Sequence, residues 1–415
     1  MLKINEDRLI GDLYHTRNNF VMGASKNTIK YDYSQLILLN NVLANAYNKY
    51  LLINGIFSNP KDVQRIIDID SDKTVNDFYA KASKYEKLIT GTYDNFSEYL
   101  DSIGFEQYSY FDIGRGYSEK DFLDIILSYY STFGDKIFNM VKKYFEEERI
   151  HLPYYSREHN LDNNVGGFFV PITSLSSGYV LSTHKKYNTY SLCSLAHELG
   201  HALDAEMFLF PQKKTIKPLS DILVEVPSTT FEFGLYYYLI KNKIDPSGAL
   251  VLLNDRFKGI QNYSEHLDYL YNEDDLYLQK DGSILVPKPD LIDKDEAVFD
   301  EEGNLIFNNR KHTSDEYSFD KNENVILHRY LKYPFRDDII YGLGYYTALH
   351  FCEIMDSSIE EFNKTFNNFI TSRKEASLQE CINKLGISVE EYMNCDFIKD
   401  RVKNDVLMMK KRFNE

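Results

Sequence analysis

Between positions 118 and 149 apolar residues return at helical spacing. Phe122, Ile125, Ile126, Tyr129 and Tyr130 fall on one face of a 3.6-residue helix. Ser118 followed by Asp121 is a relative of the capping box and marks the start of that segment. Segments near 33–56 and 60–90 share the texture, so the first 150 residues read as an all-helical lobe with polar connections. The pattern changes between 151 and 184. Gly166 and Gly167 precede Phe168, Phe169 and Val170, and Ser176-Ser177-Gly178 precedes Tyr179-Val180-Leu181. Short aromatic and β-branched runs bracketed by glycine and serine predict two strands and a turn, hence a small antiparallel sheet. Helical character resumes near 188 and runs to about 280. The stretch 282–323 is rich in Asp, Glu, Asn, Lys and Pro, with a hairpin expected around Glu302-Gly303-Asn304. It reads as an inserted surface flap. Helices return from about 336 to the end. No internal repeat or low-complexity tract is evident.

Composition narrows the function classes. The 415 residues carry 47 Lys and Arg against 63 Asp and Glu, a net charge of −16. Nucleic-acid binders neutralise phosphates with basic side chains, so nucleic acid is not an expected partner. An anionic membrane surface is disfavoured for the same reason. The N-terminus has no basic region followed by an apolar stretch, and no run of about 18 uncharged apolar residues occurs. The expectation is a soluble cytoplasmic enzyme. Its four cysteines (Cys193, Cys352, Cys381, Cys395) fit no zinc-knuckle or CxxC spacing and are expected as thiols.

One constellation carries chemistry. Residues 197–201 read His197-Glu198-Leu199-Gly200-His201. On a helix, positions i and i+4 stand one above the other, so both imidazoles can reach one metal ion. Glu198 sits one position past the first ligand and can face a water molecule without binding the metal. The preceding run Tyr190–Ala196 is largely apolar, which buries this helix. Buried polar groups need partners, and a metal would satisfy all three at once. A third ligand is expected in Ile222-Leu223-Val224-Glu225-Val226-Pro227, where Glu225 is a lone carboxylate in an apolar run. It lies 24 positions after His201, room for a loop and a return helix.

Other signals are set aside. Asp68-Ile69-Asp70-Ser71-Asp72 begins like a calcium loop, but Lys73 stands where glycine is needed and Tyr79 where the twelfth-position carboxylate should be. His184, His266 and His350 are isolated and read as structural. Cys193 shares a helix face with His197 and reads as a packed thiol.

Two blocks resemble the M3 family of zinc metallopeptidases, the thimet oligopeptidase and oligoendopeptidase F group. LAHELGHALD (Leu195–Asp204) looks like that family's HExGH helix. EVPSTTFE (Glu225–Glu232) resembles its glutamate helix, with another Glu seven positions on. A weaker match is Tyr341-Gly342-Leu343-Gly344-Tyr345-Tyr346, similar to the family's tyrosine-rich loop. The resemblance implies an oxyanion-stabilising hydroxyl, assigned to Tyr345 first and Tyr341 second, with Tyr346 and Tyr179 as further substrate contacts. Two departures stand out. Asp204 occupies the place where the family often has a third histidine. The histidine expected shortly before the tyrosine loop is matched only loosely, by His328 or by Arg336.

The resemblance implies a mainly α-helical, two-lobed metallopeptidase with a deep channel and a small antiparallel sheet beside the HExxH helix. It implies one Zn²⁺ per chain held by His197, His201 and Glu225, with Glu198 as general base. The expected activity is endopeptidase cleavage of short unstructured oligopeptides. The strand near Tyr179–Leu181 is expected to pair with the substrate. Rival readings are an M32-like metallocarboxypeptidase, a non-catalytic peptide-binding protein keeping the fold, and an interaction protein with a fortuitous HExxH. The expected organisation is a helical N-terminal lobe (1–150) and a catalytic lobe (151–415) carrying the flap at 282–323, together one catalytic unit.

Overall fold

The computed structural model describes residues 82, 84–108, 116–151, 167–172, 177–182, 187–212, 222–270, 276–278, 285–287, 290–300, 303–307, 310–312, 317–327, 336–373 and 377–413. The expected helix at 33–56, most of that at 60–90, the calcium-like run at 68–72 and residues Gly166, Ser176, His184, Glu302 and His328 lie outside these. So do the side chains of His266 and Arg336.

The described fold is mostly helical. It begins with α1 (Glu86–Ser102), which buries Leu88, Ile89, Tyr93, Phe96 and Leu100. The apolar pattern at 118–149 forms two helices, α2 (Glu119–Ser131) and α3 (Asp135–Glu146). The break falls at Gly134, whose φ of 85° is open to glycine and strained for other residues. Ser118 caps α2 by accepting from the backbone N–H of Asp121, an arrangement worth about 1 kcal/mol.

Three strands follow: β1 (Ile150–His151), β2 (Gly167–Ile172) and β3 (Ser177–Ser182). β2 and β3 pair antiparallel, from Gly167 opposite Ser182 to Ile172 opposite Ser177. β1 adds to the other side of β3 in parallel, with Ile150 opposite Val180. The strand expected to receive a peptide is therefore the centre of the sheet, in the order β1-β3-β2. Among the described residues the sheet's outer edges belong to β1 and β2, and Tyr179–Leu181 of β3 lie between paired neighbours, which corrects the assignment of peptide pairing to that strand.

α4 (Thr189–Asp204) opens with a reciprocal capping box between Asn188 and Ser191. Leu192, Leu195, Ala196, Leu199, Ala202 and Leu203 are buried all round it, the signature of a helix inside the core. A π-helical turn at Ala205–Leu209 extends it. α5 (Val226–Lys241) packs most extensively against α4 and α7 (Arg336–Ser357), with α6 (Pro246–Leu270) alongside. The remaining helices are α8 (Ile359–Ser372), α9 (Leu378–Lys384), α10 (Val389–Met393) and α11 (Lys399–Phe413). One continuous core joins α1 to α11, rich in edge-on aromatic contacts such as Phe96 with Tyr346. No described helix is long and apolar enough to cross a membrane.

Between α6 and α7 the chain forms short strands from 276 to 327, a longer β region than the expected flap. Leu276–Leu278 (β4) pairs with Leu285–Pro287 (β5). Val298–Phe299 (β7), Leu305–Phe307 (β8) and Arg310–His312 (β9) make a second sheet. Asp290–Ile292 (β6), Tyr317–Phe319 (β10) and Val325–Leu327 (β11) make a third, in the order β10-β11-β6. The β7–β8 and β10–β11 hairpins are built alike. In each, an Asp after Phe clamps an Asn four residues on: Asp300 accepts from the Asn304 backbone N–H at 2.8 Å, and Asp320 from that of Asn324 at 2.9 Å. Gly303 and Glu323 hold φ of 81° and 68° in matching turns. This is a tandem repeat that the sequence reading missed. Its small core is Ile292, Leu305 and Val325.

Candidate metal centre

α4 carries His197, Glu198 and His201, and α5 is preceded by Glu225. The two helices meet at Gly200. A Cβ there would lie 2.6 Å from the Ser228 Cα and 2.8 Å from the Pro227 carbonyl oxygen, so only glycine permits this approach. The contact brings the start of α5 against the histidine face. His197 Nε2 and His201 Nε2 each lie 3.2 Å from Glu225 Oε2. One donor atom from each of the three residues falls within 4.8 Å of the others. Ser228 donates to the same Oε2 at 2.9 Å and fixes the carboxylate.

His197 has a further partner. Its Nδ1 lies 2.8 Å from Glu232 Oε2. A carboxylate only accepts, so Nδ1 carries the proton and Nε2 is left facing Glu225. Glu232 sits one heptad beyond Glu225, on the same face of α5. Its Oε1 accepts from the Tyr236 hydroxyl and from Arg256 Nε and Nη2 at 3.0 and 2.7 Å. The sequence reading noticed Glu232 only as part of a resemblance and did not see Tyr236 or Arg256. The heptad spacing from Glu225 was a usable signal for Glu232; a pairing from a separate helix had none.

The electrostatics favour a cation at this point. Three buried carboxylates, Glu198, Glu225 and Glu232, surround two imidazoles. Burial alone would pull His197 down, but hydrogen bonds to Glu225 and Glu232 outweigh it and hold its pKa up to about 10. Burial would raise Glu225, yet His201 and His197 keep it well below the usual carboxylate range. Glu232 is likewise held down to about 2, with Arg256 foremost against the effect of burial. Glu198 moves the other way, pushed up by burial.

The tyrosines separate into different surroundings. Tyr341 is half-buried, and its ring stacks on His197 at 6.1 Å between centroids and 25° between planes. Tyr345 is 5% exposed and packed among Phe233, Tyr263 and Tyr341, with the Arg256 guanidinium 5.2 Å from its ring centre. Tyr346 is fully buried on the far side of α7, and its hydroxyl donates to the Tyr392 carbonyl. Tyr179 is also fully buried, with Arg149 over its ring at 4.9 Å. The side chains of these two, expected as substrate contacts, are thus both enclosed by the protein. Helical geometry explains Tyr346: next to Tyr345 in sequence, it points about 100° away around the axis. Asp204, in place of a third histidine, accepts from Arg373 Nη2 at 2.8 Å. His350 is a core residue, with Nε2 2.9 Å from the Leu385 carbonyl oxygen. All four cysteines are buried, Cys193 among them.

No family model matches the chain, and no curated protein matches it. Solved structures do. One, from Chlamydophila abortus and named as a peptidase by assignment, is 17% identical with a TM-score of 0.45, covering 81% of this chain and 55% of the other. PZ peptidase A with an inhibitor is 12% identical at 0.44, covering 82% and 58%. A Bacillus anthracis structure assigned as oligoendopeptidase F is 12% identical at 0.44, covering 91% and 69%. This chain thus spans between 55% and 58% of the first two.

Proposed function

We propose that this protein is a zinc-dependent peptidase that hydrolyses internal bonds of short, unstructured oligopeptides. The observation that carries the reading is the convergence of His197, His201 and Glu225 beside Glu198 on a buried helix. The residues fit a catalytic zinc ion. Two imidazole nitrogens and one carboxylate oxygen are a three-ligand set that leaves a position open. The second ring nitrogen of His197 is already held by Glu232, as in ligands whose tautomer is preset. When bound, zinc would supply Lewis acidity, polarising the scissile carbonyl and easing deprotonation of water.

The chain's own residues perform the remaining steps. Glu198 accepts a proton from the attacking water at a carboxylate oxygen as the new C–O bond forms. It then delivers that proton to the amine nitrogen as the C–N bond breaks. Its burial raises its pKa and suits this two-way traffic. Tyr341, whose ring stacks on His197 and is less buried than Tyr345, is the hydroxyl we assign to the carbonyl oxygen as charge develops there. Tyr345 supports it from behind. The outer edge of β2, the longer of the sheet's two edge strands among the described residues, is the surface on which an extended peptide would add a strand.

The test pairs metal analysis with digestion of a defined peptide mixture. Wild type should hold one zinc per chain and cut internal bonds. Glu198→Ala should keep the zinc and lose turnover by about two to four orders of magnitude. Equal turnover in both proteins, or release of single C-terminal residues only, would sink the proposal.

A further inference from the structure

Arg256 lies on α6, outside both motif-bearing helices, yet Glu232 of α5 and Tyr345 of α7 both meet it. Its Nε and Nη2 donate to Glu232 Oε1 at 3.0 and 2.7 Å. Tyr236 donates to that same oxygen. The other carboxylate oxygen is thereby left to His197. The guanidinium carbon lies 5.2 Å from the centre of the Tyr345 ring, within the range of a cation–π contact. Tyr345 leans on Tyr341 with ring centres 5.8 Å apart, and Tyr341 stacks on His197. The contacts close a circuit: His197, Glu232, Arg256, Tyr345, Tyr341 and back to His197.

We infer that Arg256 is a positioning residue for this site, setting the His197 ring through Glu232 and the Tyr341 ring through Tyr345. The inference rests on the metallopeptidase reading above. Glu232 is 2% exposed, and a buried carboxylate without a matching cation is expensive. Arg256 provides that cation at Oε1 while His197 holds Oε2, so each carboxylate oxygen is fixed by its own partner. Only arginine can do both jobs. Its fork reaches one oxygen with two N–H groups while its delocalised charge stays 5.2 Å from the tyrosine ring, whereas a lysine ammonium is a point charge on a flexible stem.

The experiment uses the full chain and two metals as probes. Zn²⁺ affinity is measured by competition with a chromophoric chelator, and ligand geometry by the visible absorption of the Co²⁺ form. Arg256→Gln should weaken zinc by about tenfold or more, the usual cost of losing a group that orients a ligand, and should shift the Co²⁺ bands. Arg256→Lys keeps the charge and should recover part of the affinity. It should still lower kcat beyond what the zinc loss explains, because the tyrosine pair is released. Glu232→Gln combined with Arg256→Gln should bind zinc no more weakly than Glu232→Gln alone, since one acts through the other. Asp255→Asn, an exposed neighbour on α6, should change none of these. Wild-type zinc affinity and an unshifted Co²⁺ spectrum in Arg256→Gln would overturn the inference, as would full additivity in the double variant. Should Arg256→Gln not fold, wild-type behaviour of Arg256→Lys in both zinc affinity and kcat overturns it equally. A wild-type protein that binds neither metal would instead refute the metallopeptidase reading itself.

Discussion

The two tyrosines 341 and 346 show how much a residue's role depends on the direction of its side chain. They sit on one helix, five positions apart, and the sequence places both at the substrate, Tyr341 as an oxyanion donor and Tyr346 as a further contact. In the fold Tyr341 lies on the histidine and Tyr346 is tied into the core through Tyr392. Removal of each hydroxyl should therefore read out differently. Tyr341→Phe should lower kcat by about two to three orders of magnitude with KM little changed, the usual cost of losing an oxyanion donor. Tyr346→Phe should leave kcat near wild type and cost about 1 kcal/mol of stability. Steady-state kinetics beside thermal melts of both variants would check this, and the opposite pattern would reassign the hydroxyl. The clustering of His197, His201 and Glu225 was legible for a related reason. An i, i+4 histidine pair has only one geometry on a helix. A lone glutamate in an apolar run also has few ways to be satisfied. Arg256 was not legible, because nothing in its own neighbourhood announces a partner on another helix.

At the scale of elements, the site depends on how closely α4 and α5 approach. The Ser228 backbone occupies the space a side chain at 200 would need. Gly344 of α7 works similarly, since a Cβ there would stand 3.0 Å from Thr229 Oγ1 and 3.2 Å from the Glu225 Cβ. Gly200→Ala should push α5 away and carry Glu225 with it. We expect a loss of about 1–3 kcal/mol of stability, typical of overpacking, together with weaker zinc binding. Melting curves and chelator competition would measure the two effects, and an unchanged variant would mean that the helices give way without harm. Helix existence was largely readable from periodicity here, while helix ends were not. The 118–149 pattern does not reveal that Gly134 breaks it in two, because a glycine can sit inside a helix or end one. The small sheet was foreseen as a hairpin, but its third strand came from Ile150–His151, only two residues long and too short to show a pattern.

On the scale of the whole molecule, the helical body and the strands of 276–327 follow different rules. The body has one large core, and the β region has a small one of its own. The repeat escaped notice because its strands are mostly three residues long and its turns share only the Asp and Asn clamp. In the third sheet β6, which follows the β4–β5 pair, pairs with β11, the last strand of the region, and Ile292 stands directly opposite Val325. The chain thus departs and returns at nearly the same point, like a side branch on a stem. Everything between those two residues can change length without pulling on the stem, because the junction is already closed. An Asn-Gly turn joining Ile292 to Val325 would suit a two-residue hairpin. A protein shortened in that way should fold and bind zinc as the full chain does; a loss of zinc affinity would mean that the branch supports the site after all. If it does not, evolution is free to add or drop hairpins there while the His197–His201–Glu225 cluster stays as it is.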